Sequence, residues 1–340
     1  MKFRVVELTI ILGLLLSNTT LAQRQNSFLI ELEALKKNAQ ALKNYSYSSQ
    51  TIRTIVTPGP DSKMDENHPL RKQTTDLTFG VFNDKHLVEA KCYDKNNELF
   101  TYRKSYYNGE SWAWFLHTGK TLVFSKDRHR RAGEFAGTQP VELVYSFINL
   151  QSDSLNSVNT YPMDIRNNAA WERLYKEAKF ISFDDRQFTF TITGTDDYTT
   201  KGNYAIHDFG DNKTYLDEVT VDRKTYLPII LKRYAYEANV KGALMHRLEV
   251  KEFEKFESKY TTFYYPKTLE SITYFPTSAA EQEHGDVRST YSVVVTAMKS
   301  VNEGDLDFSI DPTSEPTLAK WIWDQINGEW IRLDPSNPGR

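Results

Sequence analysis

The chain shows a helical pattern near its start and then changes to a period of two. Between Ser27 and Leu42, apolar residues recur at every third or fourth position and Ser27 can cap the first turn, which predicts an amphipathic helix. From Tyr45 onward, strand-like stretches alternate with turn residues at hairpin spacing. These stretches cover 45–47, 52–57, 77–82, 87–93, 99–107, 111–116 and 121–124. The first half of the chain therefore predicts a meander of antiparallel strands.

The middle of the chain interrupts this rhythm before strands resume. A nearly continuous apolar segment at 140–150 and a helical spacing at 168–179 predict two short helices. The alternation that follows places Phe188, Phe190 and Ile192 on one face of a strand. Further strands are predicted at 180–183, 215–221, 227–237, 243–256, 260–275 and 287–301. Several exceed the usual five or six residues, which is typical of strongly curved sheets.

Together these elements predict a mainly β fold with a few helices. A strongly curved antiparallel sheet is expected to form an unclosed half β-barrel that helices cover. We expect one curved-sheet domain at 23–312, with a helical insertion around 128–179. A Trp-rich C-terminal tail at 313–340 would follow it.

The first residues, 1–22, carry the pattern of an export signal peptide. Basic residues precede an apolar run at 8–16, and the small residues Thr20 and Ala22 precede Gln23. We therefore expect cleavage after Ala22 and a periplasmic or extracellular mature protein. The alternative is a retained membrane anchor, which is disfavoured because the run is about half of the roughly 20 residues that span a bilayer. No later stretch approaches this length, so no transmembrane segment is expected after cleavage.

Composition narrows the class of protein further. Cys92 is the only cysteine, so no disulfide can form within the chain and the fold must be stabilised by packing. With 42 basic and 45 acidic residues, the charge is balanced and no nucleic-acid partner is expected. Aromatic residues make up 13% of an otherwise hydrophilic chain, which favours strands with one apolar face.

Patterns of catalytic and metal-binding residues are weak. The seven histidines never occur at metal-ligand spacing, and the aspartates of 305–311 lack the glycine and closing glutamate of a calcium loop. No nucleophile elbow or phosphate loop occurs. The carboxylate pairs 184–185 and 196–197 keep a glycosidase type of enzyme open, although both fit solvated hairpin tips. We therefore predict a protein that is not an enzyme and that needs no metal or cofactor.

Four stretches spread over the chain carry a resemblance to a known family. They are the helix end at 42–47, the turn and Trp-containing strand at 107–115, the aspartate followed by Leu227-Pro228, and the closing segment 305–312. These stretches resemble the periplasmic lipoprotein carriers of the outer-membrane lipoprotein-sorting superfamily, a wider group that includes stress-sensing periplasmic proteins. The resemblance implies a deeply curved, unclosed sheet whose hydrophobic concavity lies under helices.

The apolar face of such a sheet must be covered, because exposure costs about 25 cal/mol per Å². Either the protein's own helices or a bound amphiphile could cover this face. We predict an exported binding protein that holds a lipid, a lipoprotein acyl chain or another amphiphile. The candidate cavity residues are Trp112, Trp114, Phe188, Phe190, Ile192, Val293 and Val295. The alternative is a cell-envelope interaction or sensor domain that binds a protein partner through edge strands and the Trp-rich tail.

Overall fold

The structure is a computed structural model that describes residues 26–58, 64–83, 85–117, 119–126, 140–148, 168–196, 213–259, 261–275, 283–314 and 316–333. The predicted signal peptide and its cleavage point after Ala22 lie outside these residues. Within them, no helix is long and apolar enough to cross a membrane.

One sheet of 15 strands dominates the part of the chain that is described. In chain order the strands are β1 (Tyr45–Ile55), β2 (Lys72–Phe82), β3 (Lys85–Tyr93), β4 (Leu99–Tyr107), β5 (Trp112–Leu116), β6 (Thr121–Ser125), β7 (Lys179–Phe183), β8 (Gln187–Asp196), β9 (Lys213–Asp222), β10 (Pro228–Glu237), β11 (Val240–Glu257), β12 (Thr262–Tyr274), β13 (Val287–Ser300), β14 (Trp321–Asp324) and β15 (Glu329–Arg332). In space they follow the order β15-β14-β6-β5-β4-β3-β2-β1-β13-β12-β11-β10-β9-β8-β7.

This arrangement confirms the predicted fold class. The sheet is curved, its two end strands β7 and β15 are not hydrogen-bonded to each other, and nearly all neighbours are antiparallel. The parallel pair β6 and β14 departs from the pattern. It arises because the chain, after β13 at the centre of the sheet, crosses one face of β1 to β5 and forms β14 beside β6. The region predicted as a tail thus adds β14 and β15 to the same sheet, while the predicted domain division stays a prediction.

Helices are few among the described residues. Helix α1 covers 26–40, α2 is Pro140–Leu143, and α3 is Asn168–Glu177, with one 3-10 turn at Pro69–Arg71. The apolar stripe predicted for α1 is confirmed, since Leu32, Leu35 and Ala39 have no exposed surface. Both α2 and α3 fall within the predicted insertion at 128–179.

The two faces of the sheet differ in what they carry. We call the face that bears Tyr45, Tyr47 and Phe79 the inner face, and the opposite one the back face. The main core cluster lies on the inner face, where α1, α3 and residues 140–148 pack against it. A second cluster, which contains Phe115 and Leu122, lies on the back face of β3 to β6.

The back face is covered by the crossing chain between β13 and β14. Ile310 and Ala319 from this crossing belong to the second cluster, and Phe308 packs against it. Gly80 of β2 lies under the crossing, where a Cβ atom would be 2.5 Å from Cδ2 of Leu306. The glycine therefore allows the crossing chain to approach the sheet closely.

Candidate functional site

All seven predicted cavity residues lie on the inner face. Directly paired residues of antiparallel strands point to the same side, and the register connects Tyr47 through Phe79, Val88 and Ser105 to Trp114. In the other direction it connects β1 through β13, β12, β11, β10 and β9 to Phe190. The register therefore brings residues of β5, β8 and β13 onto one common surface.

The structure divides them into two groups. Phe188, Phe190, Ile192, Val293 and Val295 belong to the main core cluster. Trp112 and Trp114 form a separate cluster with Val123, against which Tyr107 and Trp323 pack. The exposed fraction of each of the seven side chains is 5% or less. Whether any of them contacts a ligand stays a prediction.

Residues 140–148, which we call the plug segment, fill the middle of the inner face. Six of its side chains belong to the main core cluster: Val141, Leu143, Val144, Tyr145, Phe147 and Ile148. Only its first residues, α2, are helical, and the turns that follow keep the segment compact. The nearly continuous apolar run read from the sequence is therefore explained by burial on all sides.

The plug segment also reveals the direction of the curvature. Glu142 accepts a hydrogen bond of 2.6 Å from the hydroxyl of Tyr47 in β1, and the ring of Phe147 lies 5.6 Å from that of Phe190 in β8. Since β8 is the sixth strand from β1, a flat sheet would separate the two strands by roughly 29 Å. The two contacting residues of the plug segment are only five positions apart, at the end of α2 and in the tight turns that follow it. The sheet therefore curves around the plug segment, and the inner face is concave.

Side-chain hydrogen bonds connect the plug segment to its surroundings. The hydroxyls of Tyr45 and Tyr47 both donate to the buried carboxylate of Glu142. Asn38 of α1 donates to the hydroxyl of Tyr145 at 3.0 Å, and its side-chain oxygen accepts from the amide of Tyr264 in β12 at 3.3 Å. These polar contacts fix the segment against β1 and α1 within an otherwise apolar interface.

A buried chain of polar side chains crosses four adjacent strands of the inner face. Arg233 donates to both carboxylate oxygens of Asp217, at 2.7 and 2.6 Å, and its guanidinium lies 3.8 Å from the ring of Tyr215. His246 is the direct partner of Arg233 across β10 and β11. Nε2 of His246 lies 2.7 Å from the hydroxyl of Ser271. We call Asp217, Arg233, His246 and Ser271 the buried polar chain.

Burial controls the protonation of this chain. Burial raises the pKa of Asp217, and the neighbouring Arg233 guanidinium opposes that rise. Burial, together with the positive charge of Arg233, lowers the pKa of His246 to about 3, so the imidazole is neutral near neutral pH. Ser271 and His246 are 2% and 0% exposed. Within this buried site, Nε2 of His246 and the hydroxyl of Ser271 satisfy each other's hydrogen-bonding capacity.

A second polar feature runs along β1, toward the end of the strand away from Tyr45. Ser49, Thr51 and Arg53 are consecutive inward positions, which we call the β1 polar stripe. The hydroxyls of Ser49 and Thr51 are buried without a hydrogen-bond partner, and so is Nε of Arg53. The Arg53 guanidinium lies 5.6 Å from the ring centre of Tyr291. Sequence reasoning missed both polar features. The buried polar chain depends on which strands are neighbours, whereas the members of the β1 polar stripe lie on one strand.

A shallow groove lies where β12 and β13 separate. Their pairing ends at Thr268 and Val294, although β13 runs on to Ser300 beside β1. The groove has a volume of about 560 Å³. Tyr265 donates to Glu254 at 2.5 Å, and Nζ of Lys267 lies 3.3 Å from the same carboxylate. These charged and mutually bonded walls suit a polar molecule better than an acyl chain.

Of the carboxylates considered for catalysis, Asp184 has structural partners. Asp184 accepts hydrogen bonds from the amides of Arg186 and Gln187, which lower its pKa and stabilise the turn between β7 and β8. Asp196 ends β8 and Asp197 lies outside the described residues. Of the residues once compared with a calcium loop, Asp305 and Asp311 accept hydrogen bonds within their own turns. Over the described ranges, no three metal-ligating side chains form a group.

Comparisons with known proteins leave the family open. No protein-family model matches the chain, and no curated protein matches it. A crystal structure of MucB in complex with MucA(peri) aligns with 9% identity and a TM-score of 0.22, over 79% of this chain and 98% of that chain. LprF from Mycobacterium bovis aligns with 8% identity and a TM-score of 0.19, over 82% and 96% of the two chains. Neither likeness is strong enough to support a conclusion, so the resemblance to the carrier superfamily stays a prediction.

Proposed function

We propose that this protein binds the apolar chain of a lipid, a lipoprotein or another amphiphile on the inner face, in the place that the plug segment fills. The bound chain would contact Phe188, Phe190, Ile192, Val293 and Val295. The separate Trp112 and Trp114 cluster extends the same face toward β14. Such carriage requires no catalytic group, metal or cofactor.

The plug segment is the observation that carries this proposal. It is a short, mostly apolar piece of chain that belongs neither to the sheet nor to a long helix, and it lies in a concave face. Its side chains Leu143, Val144 and Phe147 present to the sheet the kind of surface that an acyl chain would present. Exchange of one apolar occupant for another keeps the face covered, so the two states differ little in hydrophobic free energy.

Loosening the plug segment tests the proposal. Leu143→Ala removes buried apolar volume and leaves a cavity lined by apolar side chains, which favours entry of an apolar ligand. We expect this variant to bind an environment-sensitive acyl fluorophore several-fold more tightly than the wild-type chain 23–340 does. Fluorescence titration measures the affinity. Organic extraction and mass spectrometry of the purified protein would identify a lipid that co-purifies.

Leu122→Ala is the matched control, because Leu122 is equally buried but belongs to the cluster on the back face. Both substitutions should lower the free energy of unfolding by about 2–5 kcal/mol. Only Leu143→Ala should change the affinity for the fluorophore. If the wild type and Leu143→Ala both show no saturable uptake and no extractable lipid, the carrier function is wrong.

The exposed aromatic hairpin at the edge of the sheet favours a second candidate, a protein-interaction function. Trp330 of β15 is 59% exposed and stacks on Trp323 of β14, with ring centres 5.0 Å apart. Ile331 is also exposed, and among the described strands none pairs with the outer backbone edge of β15. Exposed aromatic residues beside a free strand edge suit the addition of a partner strand.

Site-specific photo-crosslinking would test this second candidate. A photoreactive residue in place of Trp330 should form a discrete adduct with an envelope protein. The same residue in place of Val240, which is exposed at 66% in the hairpin between β10 and β11, serves as the control. Equal labelling from both positions would argue against a specific edge interaction.

A further inference from the structure

We propose that the β1 polar stripe binds the anionic, oxygen-bearing headgroup of the amphiphile, a carboxylate or a phosphate. This inference rests on the proposed carrier function and adds the chemical class of the ligand's polar end. Ser49 and Thr51 would donate their hydroxyls to the headgroup, and Arg53 would supply the positive charge.

The unsatisfied hydrogen-bonding atoms are the first support. Ser49 and Thr51 are 3% and 2% exposed, and neither hydroxyl has a hydrogen-bond partner. Buried polar groups in proteins are nearly always paired, because an unmade hydrogen bond costs free energy. Three consecutive inward positions of one central strand break this rule, since Nε of Arg53 is also buried without a partner. Such a concentration calls for an explanation, and a polar ligand bound to the stripe would supply one.

The charge of Arg53 is the second support. Arg233, on the same face, is neutralised by the two hydrogen bonds to Asp217. Arg53, by contrast, forms no ion pair with any carboxylate in the part of the chain that the structure describes, and its guanidinium faces only the ring of Tyr291 at 5.6 Å. A planar guanidinium binds carboxylate and phosphate oxygens in a two-pronged geometry. An anion is therefore the chemistry that this stripe fits.

The position of the stripe is the third support. Along β1, the inward side chains change from Tyr45 and Tyr47, which contact the plug segment, to Ser49, Thr51 and then Arg53. Tyr47 and Arg53 are separated by about 20 Å of extended strand. A ligand whose apolar chain replaces the plug segment would thus place its polar end over the stripe. One strand would contact both ends of the amphiphile.

A headgroup series with one common acyl chain tests the inference. The series comprises a fatty acid, a lysophosphatidic acid, a neutral monoacylglycerol and an alkylammonium salt, each used to displace the acyl fluorophore from the chain 23–340. We expect the carboxylate or the phosphate to bind at least about tenfold more tightly than the neutral compound. The stronger of these two anions identifies the source of the oxygen group.

Variants locate the preference. Arg53→Gln should remove most of the anion preference, Arg53→Lys should restore part of it, and Thr51→Val should weaken anion binding several-fold. Arg247→Gln and Thr54→Val are the controls, because Arg247 and Thr54 lie on the back face beside Ile272 and Lys72. Neither control variant should change the relative affinities of the four compounds.

Two failures would be distinguishable. Equal binding of all four compounds, unchanged in Arg53→Gln, would overturn the headgroup site and leave the carrier function intact. No displacement by any compound, in the wild type or in Leu143→Ala, would overturn the carrier function itself.

Discussion

The inner and back faces of the sheet are both covered by apolar residues, but they are covered in different ways. The crossing chain on the back face is attached through its backbone, since the amide of Val301 donates to the carbonyl of Asn44 at 2.9 Å and that of Lys320 to Lys120 at 2.7 Å. The plug segment on the inner face is attached through side chains, by Glu142 and by Tyr145. The crossing chain is continuous with strands β13 and β14 of the sheet. The plug segment is not part of any strand and packs on the sheet through its side chains.

If the inner face binds an amphiphile as proposed, burial alone does not distinguish a structural core from a binding face. Both clusters are inaccessible, yet the crossing chain approaches Gly80, whereas the plug segment contacts Tyr47, whose next inward neighbours on β1 are the unsatisfied Ser49 and Thr51. In a core that only stabilises the fold, the unpaired hydroxyls of Ser49 and Thr51 would cost free energy without a benefit. We therefore expect substitutions on the back face to change stability alone, and substitutions on the inner face to change stability and binding separately.

Trp114→Lys should have the largest effect. The residue is 3% exposed and packed in a tryptophan cluster, so a lysine there loses packing and buries a charge, at a cost of about 3–5 kcal/mol in free energy of unfolding. Urea denaturation measures the loss. Trp330→Lys is the control and should change stability by less than about 0.5 kcal/mol, because Trp330 is mostly exposed. A stable Trp114→Lys variant that loses fluorophore uptake would instead place Trp114 in an open cavity.

Lowering the pH should reduce the free energy of unfolding through protonation of His246. Its folded pKa of about 3 lies below its ordinary value of 6.5, so the unfolded chain binds the proton more readily and stability is lost as the pH falls from 6.5 toward 3. Between pH 7 and pH 5 this loss is about 2 kcal/mol. His246→Gln should remove it in urea denaturation at the two pH values.

Titration of Asp217 does not account for a difference in acid sensitivity between the wild type and His246→Gln. Its pKa is raised by burial, so its contribution to stability changes with pH in the opposite direction, and it is present in both proteins. A wild-type protein and a His246→Gln variant that lose the same stability between pH 7 and pH 5 would show that the imidazole does not titrate as described.

Gly80→Ala should give a smaller effect that is confined to the back face. The new Cβ would overlap Leu306, whose flexible end can move, so we expect a loss of about 1–2 kcal/mol in thermal or chemical denaturation. The double variant Gly80→Ala with Leu306→Ala should lose less than the sum of the two single variants. Additive losses would mean that the crossing chain does not rest on Gly80. Fluorophore binding should not change in any of them.

Thr51→Val should have the smallest effect and the opposite sign. It replaces a buried, unpartnered hydroxyl by a methyl group of similar size, so the free protein should gain about 1 kcal/mol of stability. The same variant should bind the anionic amphiphile more weakly. Thr54→Val, three residues further along β1 on the back face, should do neither. A destabilised Thr51→Val protein would mean that the hydroxyl is paired in solution.

The sequence predicted the elements of this fold better than their connections. Alternation and spacing are local properties, so α1 and most strands were found where the structure has them. Asn108-Gly109 is typical of a two-residue hairpin turn, in which both residues have positive φ. A turn does lie there, but only Gly109 has positive φ. The side chain of Asn108 instead accepts hydrogen bonds from the amides of Glu110 and Ser111, so residues 108–111 form a longer turn than the expected two-residue one.

The candidate site shows the limit of such prediction more clearly. Phe188, Phe190 and Ile192 could be assigned to one face because a period of two fixes the direction of each side chain within a strand. That Trp112, Trp114, Val293 and Val295 share this face depends on the strand register. Asp217, Arg233, His246 and Ser271 are spread over 55 positions, from 217 to 271, and meet only because four strands pair in a particular register. No local pattern records that register. A lone arginine among Ser49, Thr51 and Tyr47 on one strand was the signal that was available for the β1 polar stripe.

The position of β1 at the centre of the sheet has a consequence for how the chain folds. β1 pairs on one side with β2, which follows it closely, and on the other with β13, where Tyr45 faces Ser300. Folding rates fall as contacts join more distant parts of a chain. The strand that forms the floor of the site therefore acquires its second neighbour only after most of the polypeptide has been made. Pairing of β1 with β13 would join the two halves of the sheet and form the proposed site in one step, while β14 and β15, which follow in the chain, add to the end of the sheet.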